Sequence, residues 1–138
     1  MKKDFSETTA KAGALFLKAG FVKLEEDVDP VSDNGVLELR KKDVVARLVR
    51  DRKQWFVEIR SSASDEWFDA RFVLAVIGGR ENWPPPTDLS ALRTFVEYML
   101  QLLPKWERLF RPDAYAQTKR ELNERERISA RERFGITN

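Results

Sequence analysis

The chain has no cysteine and no histidine in its 138 residues. These absences exclude thiol nucleophiles, imidazole general bases, Ser-His-Asp triads, Cys/His zinc sites, thiolate-held iron–sulfur clusters and a His-based pH switch. Only Asp, Glu, Lys, Arg, Tyr and the hydroxyls are left for catalysis. The chain also lacks Gly-x-Gly-x-x-Gly and Gly-Lys-Ser/Thr, so Gly78-Gly79 reads as a helix stop and not as a phosphate loop. No run approaches the roughly 18 apolar residues of a membrane span. Glu7 and Lys11 interrupt the segment after the N-terminal lysines that a signal peptide would keep apolar, which makes a cytoplasmic location the expectation. Neither sign of charge dominates: 25 Lys and Arg face 23 Asp and Glu. The basic excess sits after residue 104, where acidic side chains interleave with it and cancel most of its far field.

What is present describes one globular domain. The composition is 42% hydrophobic and 35% charged, and the length suffices to bury a core without staples. We expect a single domain over 1–138, with the core in 1–110 and a charged C-terminal helix in 111–138. Residues 5–19 have helical spacing, with Phe5, Ala10, Ala14 and Leu17 on the stripe, Ser6 as N-cap and Gly20 at the C′ position. Phe21–Glu25 alternates like a strand. Asp27–Gly35, with Pro30 and Asn34-Gly35, reads as a loop. Val36–Arg40, Val44–Arg50 and Gln54–Arg60 read as strands joined by short polar turns, and Glu66–Ala70 offers a further edge strand. Arg71–Ile77 fits either period; a short helix stopped by Gly78-Gly79 is the preferred reading. After a link stiffened by Pro84-Pro85-Pro86, Asp88 caps a helix. Its stripe runs Leu92, Val96, Met99, Leu103, Trp106, Phe110, and Pro104 should break it. Asp113 is the expected cap of a polar last helix that frays beyond about residue 124. The fold class expected is α+β: an antiparallel meander of 3–4 strands, preceded by one helix and followed by helices packed on one face.

Three constellations could carry function. Glu25, Glu26, Asp27, Asp29 and Asp33 form an acidic cluster whose spacing does not match a calcium loop. It suits a solvated loop or the docking of a basic partner. Arg47, Arg50, Arg52, Lys53 and Arg60 gather on one hairpin with Trp55 and Phe56 between them. Such a mixture can stack bases and neutralise phosphates, or simply pair across strands with Asp43, Asp51 and Glu58. Asp65, Glu66 and Asp69 lie near Trp67 and Phe68, where a glycosidase-type acid/base pair would need a cleft that raises one pKa. Trp67 and Trp83 stand in polar or loop settings that suit a binding hot spot, although Trp83 equally suits a loop anchor.

The order of pieces also resembles a known group. Phe16-Leu17-Lys18-Ala19-Gly20-Phe21 leads a helix into a strand. Gly35–Leu39, Val44–Arg60 with Asp51-Arg52, a Trp67–Gly79 segment, a leucine-rich helix and a polar helix follow. This layout is similar to the small bacterial α+β immunity proteins of polymorphic toxin and contact-dependent inhibition systems. The resemblance implies a stoichiometric toxin binder without catalysis, and it transfers no individual residue. The expected function is therefore a non-enzymatic protein-binding domain of immunity type, acting by steric and electrostatic occlusion. Its partner would be a toxin or another bacterial protein. Its contact residues would be Glu25, Glu26, Asp27, Asp29, Trp67 and Trp83, with no catalytic residue, metal or cofactor. The alternative is nucleic-acid binding through Arg47, Arg50, Arg52, Lys53 and Arg60 with the arginine-rich last helix. No membrane association is expected, and the oligomeric state stays open.

Overall fold

The structure is a computed structural model that describes residues 4–29, 31–80 and 83–133; Pro30 and the Phe5 side chain lie outside that description. Helix α1 (Asp4–Lys18) begins before Ser6, which places Ser6 inside the first turn and not at the N-cap position; its side chain lies outside the described residues. Its C-terminus closes as expected at Gly20, with φ +99°. The Gly20 N–H donates to Leu17 O at 3.1 Å and the Phe21 N–H to Phe16 O at 3.0 Å. These two bonds form a Schellman motif, completed by the edge-on contact of the Phe16 and Phe21 rings at 5.2 Å. The turn thus aims the chain straight into the sheet.

Five antiparallel strands follow in the order β1-β2-β3-β4-β5: β1 (Val22–Val28), β2 (Gly35–Lys41), β3 (Val44–Asp51), β4 (Gln54–Ser61) and the two-residue β5 (Phe68–Asp69). This confirms the meander and adds a strand to the three or four expected. β1 also runs further than its sequence suggests. Glu25 continues the expected strand, and Glu26 and Asp27 pair with Leu37 and Val36, so Asp27 and Val28 belong to an edge strand and not to the loop. Charged residues are poor strand formers, and here the ladder to β2 overrides that preference.

Register divides the sheet into two faces. Leu37, Leu39, Ala46, Leu48, Val57 and Ile59 stand on the inner face and are buried. Val36, Glu38, Arg40, Arg47, Val49, Phe56, Glu58 and Arg60 stand on the outer face. Val45, also outward, is buried between its cross-strand neighbours Arg40 and Arg60. α1 and α3 (Leu89–Gln101) pack on each other, and Phe16, Leu92, Phe95, Val96 and Met99 join the inner-face residues in one core. Full burial of such side chains contributes about 1.5–3 kcal/mol each.

Ala70–Val76 is helix α2, as preferred, capped by Asp69 and released near Gly78, φ +78°. Asp88 caps α3, its carboxylate accepting from the Ala91 N–H at 2.8 Å. The stripe breaks before Pro104, where α4 (Leu103–Glu107) begins with the proline in its first turn, and a 3₁₀ turn over Arg108–Phe110 follows. Trp106 is fully buried and its indole N–H donates to Met99 O at 2.8 Å, which ties α4 to α3. The last helix, α5 (Tyr115–Arg133), corrects two expectations. It starts after Ala114, leaving Asp113 outside the cap position, and it stays helical past residue 124. Leu122 and Thr118 are buried, and the Thr118 hydroxyl donates to Leu109 O at 2.6 Å, so tertiary anchoring holds this polar helix. No helix among the described residues is long and apolar enough to cross a membrane.

Candidate functional site

β1 closes one end of the sheet, and among the described residues no strand pairs with its other edge. Its pairing slips by one residue between Lys23 and Glu25, which leaves Leu24 as a bulge. The bulge changes which residues share a face. Lys23 and Glu26 stand opposite the inward leucines Leu39 and Leu37 and form an ion pair at 2.8 Å. Glu25 and Asp27 stand outward, opposite Glu38 and Val36. Glu25 therefore faces another carboxylate, and among the described residues neither Glu25 nor Asp27 has a cation against it. The acidic cluster is thus divided. Glu26 is neutralised locally and Asp29 caps its own turn, accepting from the Val31 N–H at 2.9 Å. Asp33 is buried on Arg50, leaving Glu25 and Asp27 as the edge carboxylates with no cation against them among the described residues.

A groove of about 200 Å³ runs beside this edge on the inner side. Ala10, Gly13, Ala14 and Leu17 of α1 form one wall, Leu37 and Leu39 the floor, and Lys23 with Glu26 the rim. The small residues of α1 keep the groove open. A Cβ at Gly13 would already come within 3.1 Å of Leu37 Cδ2. Three large apolar side chains around the same edge are exposed: Leu17 at 52%, Val22 at 59% and Leu24 at 49%. Composition alone did not single these out, because Leu17 reads as helix stripe and Val22 and Leu24 as ordinary strand residues. The helical stripe does carry the signal in part, since Ala10, Ala14 and Leu17 lie on it yet line a cleft.

The basic hairpin does not form one surface. Arg47 and Arg60 project from the outer face and bracket the Trp67 ring, with guanidinium carbons 4.1 and 5.1 Å from its centroid. Arg47 also pairs with Glu58 at 2.6 Å, and Arg60 donates to the carbonyls of Ser61 and Ser64 at 3.1 Å. Arg50 lies at the other face, paired with Asp33 at 2.6 Å. Arg52 and Lys53 make the two-residue β3–β4 turn and are exposed. Alternation along the strands separates what the sequence placed together.

Trp83 is an anchor for its loop. Its ring packs 5.0 Å from Phe95 and 5.2 Å from Tyr98, and its indole N–H donates to Arg80 O at 3.0 Å. The adjoining proline segment docks on β4, where the Trp55 N–H donates to Pro86 O at 2.8 Å. Of the three carboxylates near Trp67, Asp65 is exposed and the other two are engaged. Asp69 caps α2 and is held by the Arg71 guanidinium at 2.7 Å, while Glu66 pairs with Lys119 at 3.2 Å. Arg71 is held above its ordinary pKa chiefly by that hydrogen bond to Asp69. Glu126 of α5 is pushed up by desolvation first, then by the negative field of Glu66, Asp69 and Glu58. No group of three metal-ligating side chains suited to a metal occurs among the described residues.

The β1 edge can therefore offer main-chain hydrogen bonds, two outward carboxylates and an apolar cleft: the means of recognition, arranged on one rigid edge. No protein-family model, curated protein or solved structure matches the chain.

Proposed function

We propose that this chain is a protein-binding domain that docks a basic partner on its β1 edge, without chemistry of its own. The observation that carries the reading is the exposed carboxylate pair Glu25 and Asp27, opposed by no cation among the described residues, on an open strand flanked by exposed Val22 and Leu24. Charges at such a rim accelerate encounter and select partners, while neighbouring apolar side chains slow dissociation. The resemblance to immunity proteins supports toxin neutralisation as the biological form, in which a stoichiometric complex covers the toxin's working surface. Trp67, braced by two arginines on the outer face, extends the same rigid scaffold.

The test is affinity capture from source-cell lysate with wild type and Glu25→Lys/Asp27→Lys as baits, read by mass spectrometry. Both substituted side chains are exposed, so the variant should melt like wild type. The expected result is one stoichiometric protein, retained by wild type at about 0.15 M salt and lost from the variant. Equal retention by both baits overturns the choice of surface. Recovery of nucleic acid that disappears steeply with salt reassigns the chain to the basic hairpin.

A further inference from the structure

We infer that the β1 edge receives its partner as an added strand: an extended segment alternating apolar and Lys/Arg residues, laid along Val22–Val28. This rests on the proposed docking of a basic partner and specifies its form. Three observations converge on it. First, β1 ends the sheet, and an edge strand presents a row of main-chain donors and acceptors that an incoming strand satisfies. Second, the two sides of the edge differ in chemistry. On the inner side lies the groove of Ala10, Gly13, Ala14 and Leu17, and the Lys23–Glu26 pair at its rim is already neutral. On the outer side stand Glu25 and Asp27, with Glu38 adding a third carboxylate next to Glu25 and Val22 opposite Arg40 at the start of the strand. Third, a strand places successive side chains on opposite faces. A segment reading apolar-basic-apolar-basic therefore turns its apolar residues to the groove side, across the neutral Lys23–Glu26 rim toward Leu17, and sets its cations against Glu25 and Asp27.

A charged, bulged edge is also how proteins prevent unwanted strand pairing. That purpose does not account for Leu17, Val22 and Leu24, each about half exposed beside the same edge. It does exclude the most obvious competitor. A second copy would bring a strand with the same three carboxylates, Glu25, Glu26 and Asp27, against one lysine. Like charges brought together across strands oppose that pairing.

The experiment uses the full chain and a blocked octapeptide of alternating Lys and Val, titrated by NMR with hydrogen exchange on the β1 amides. Two controls accompany it: the same peptide with every backbone amide methylated, and the protein variant Glu25→Gln/Asp27→Asn. The expected result is saturable shifts confined to β1 and α1 and slowed exchange of the outward β1 amides. The variant should bind about tenfold more weakly, from the loss of two cross-strand charge pairs. The methylated peptide should lose at least that much. Equal binding of both peptides overturns strand addition while leaving the acidic docking surface standing. No binding of either peptide overturns both. Protection of β1 that grows with protein concentration, without peptide, assigns the edge to a second copy and overturns the inference.

Discussion

Asp33→Ala probes the connection that fixes the β1 edge on the sheet. The Asp33 side chain is 10% exposed and its carboxylate meets the Arg50 guanidinium, 13% exposed, at 2.6 Å. The Asp33 N–H donates to Asp29 O at 2.9 Å, and the residue sits at φ 62°. Deleting one member of a buried ion pair costs about 3–5 kcal/mol, because the other charge stays desolvated. Residual exposure and the other interactions of Arg50, among them the Trp55 ring 5.6 Å away, soften this to about 2–3 kcal/mol. Alanine tolerates the left-handed backbone less well than Asp, which adds up to about 1 kcal/mol. The sum is a large part of a domain stability of about 5–15 kcal/mol. Urea unfolding followed by tryptophan fluorescence should show the midpoint falling by about 1.5 M, for a slope of about 2 kcal/mol/M. In an Arg50→Met background the cost of Asp33→Ala should drop by at least half, since no desolvated charge remains. The reasoning is refuted if the single variant unfolds within about 0.5 kcal/mol of wild type, or if the two changes are additive.

Two further predictions concern stability. Arg52 and Lys53 occupy a two-residue hairpin turn at φ 53° and 67°, where Asn-Gly is the favoured pair. Arg52→Asn/Lys53→Gly should stabilise by about 1 kcal/mol and raise Tm by about 3–4 °C in calorimetry; an unchanged Tm refutes it. Glu126 binds its proton more tightly folded than unfolded, because burial and then Glu66, Asp69 and Glu58 disfavour its charge. Its contribution to stability therefore falls as pH rises from the ordinary glutamate value to the raised one. Glu126→Gln should raise Tm at about pH 7, on the order of 1 °C for so exposed a group, and change nothing at about pH 3. A lower Tm at neutral pH refutes this assignment.

Local chemistry in the sequence determined much of this molecule. Gly20 after a helical stripe dictated the Schellman turn, because only glycine accepts φ +99° without strain. Period-two alternation dictated β2 to β4 and their inner face, and Asp88 and Pro104 marked where α3 starts and where its stripe breaks. These signals act within a few residues, so they survive without knowledge of the fold. Tertiary structure decided the rest. Glu26 to Val28 extended the strand because β2 supplied a ladder that the propensities of Glu26 and Asp27 do not ask for. α5 holds despite its polar sequence because Thr118 and Leu122 are buried and α2 packs against it. Of the five hairpin cations, the pleat sent Arg47 and Arg60 to one face and Arg50 to the other, while Arg52 and Lys53 make the turn. The bulge at Leu24 separated a self-neutralised Lys23–Glu26 pair from the exposed Glu25 and Asp27, and a one-residue slip of register is invisible in composition. The groove exists because small residues of α1 happen to cross above β2 beside an uncovered strand. That juxtaposition depends on how α1 and the sheet pack, so no pattern within either segment could announce it.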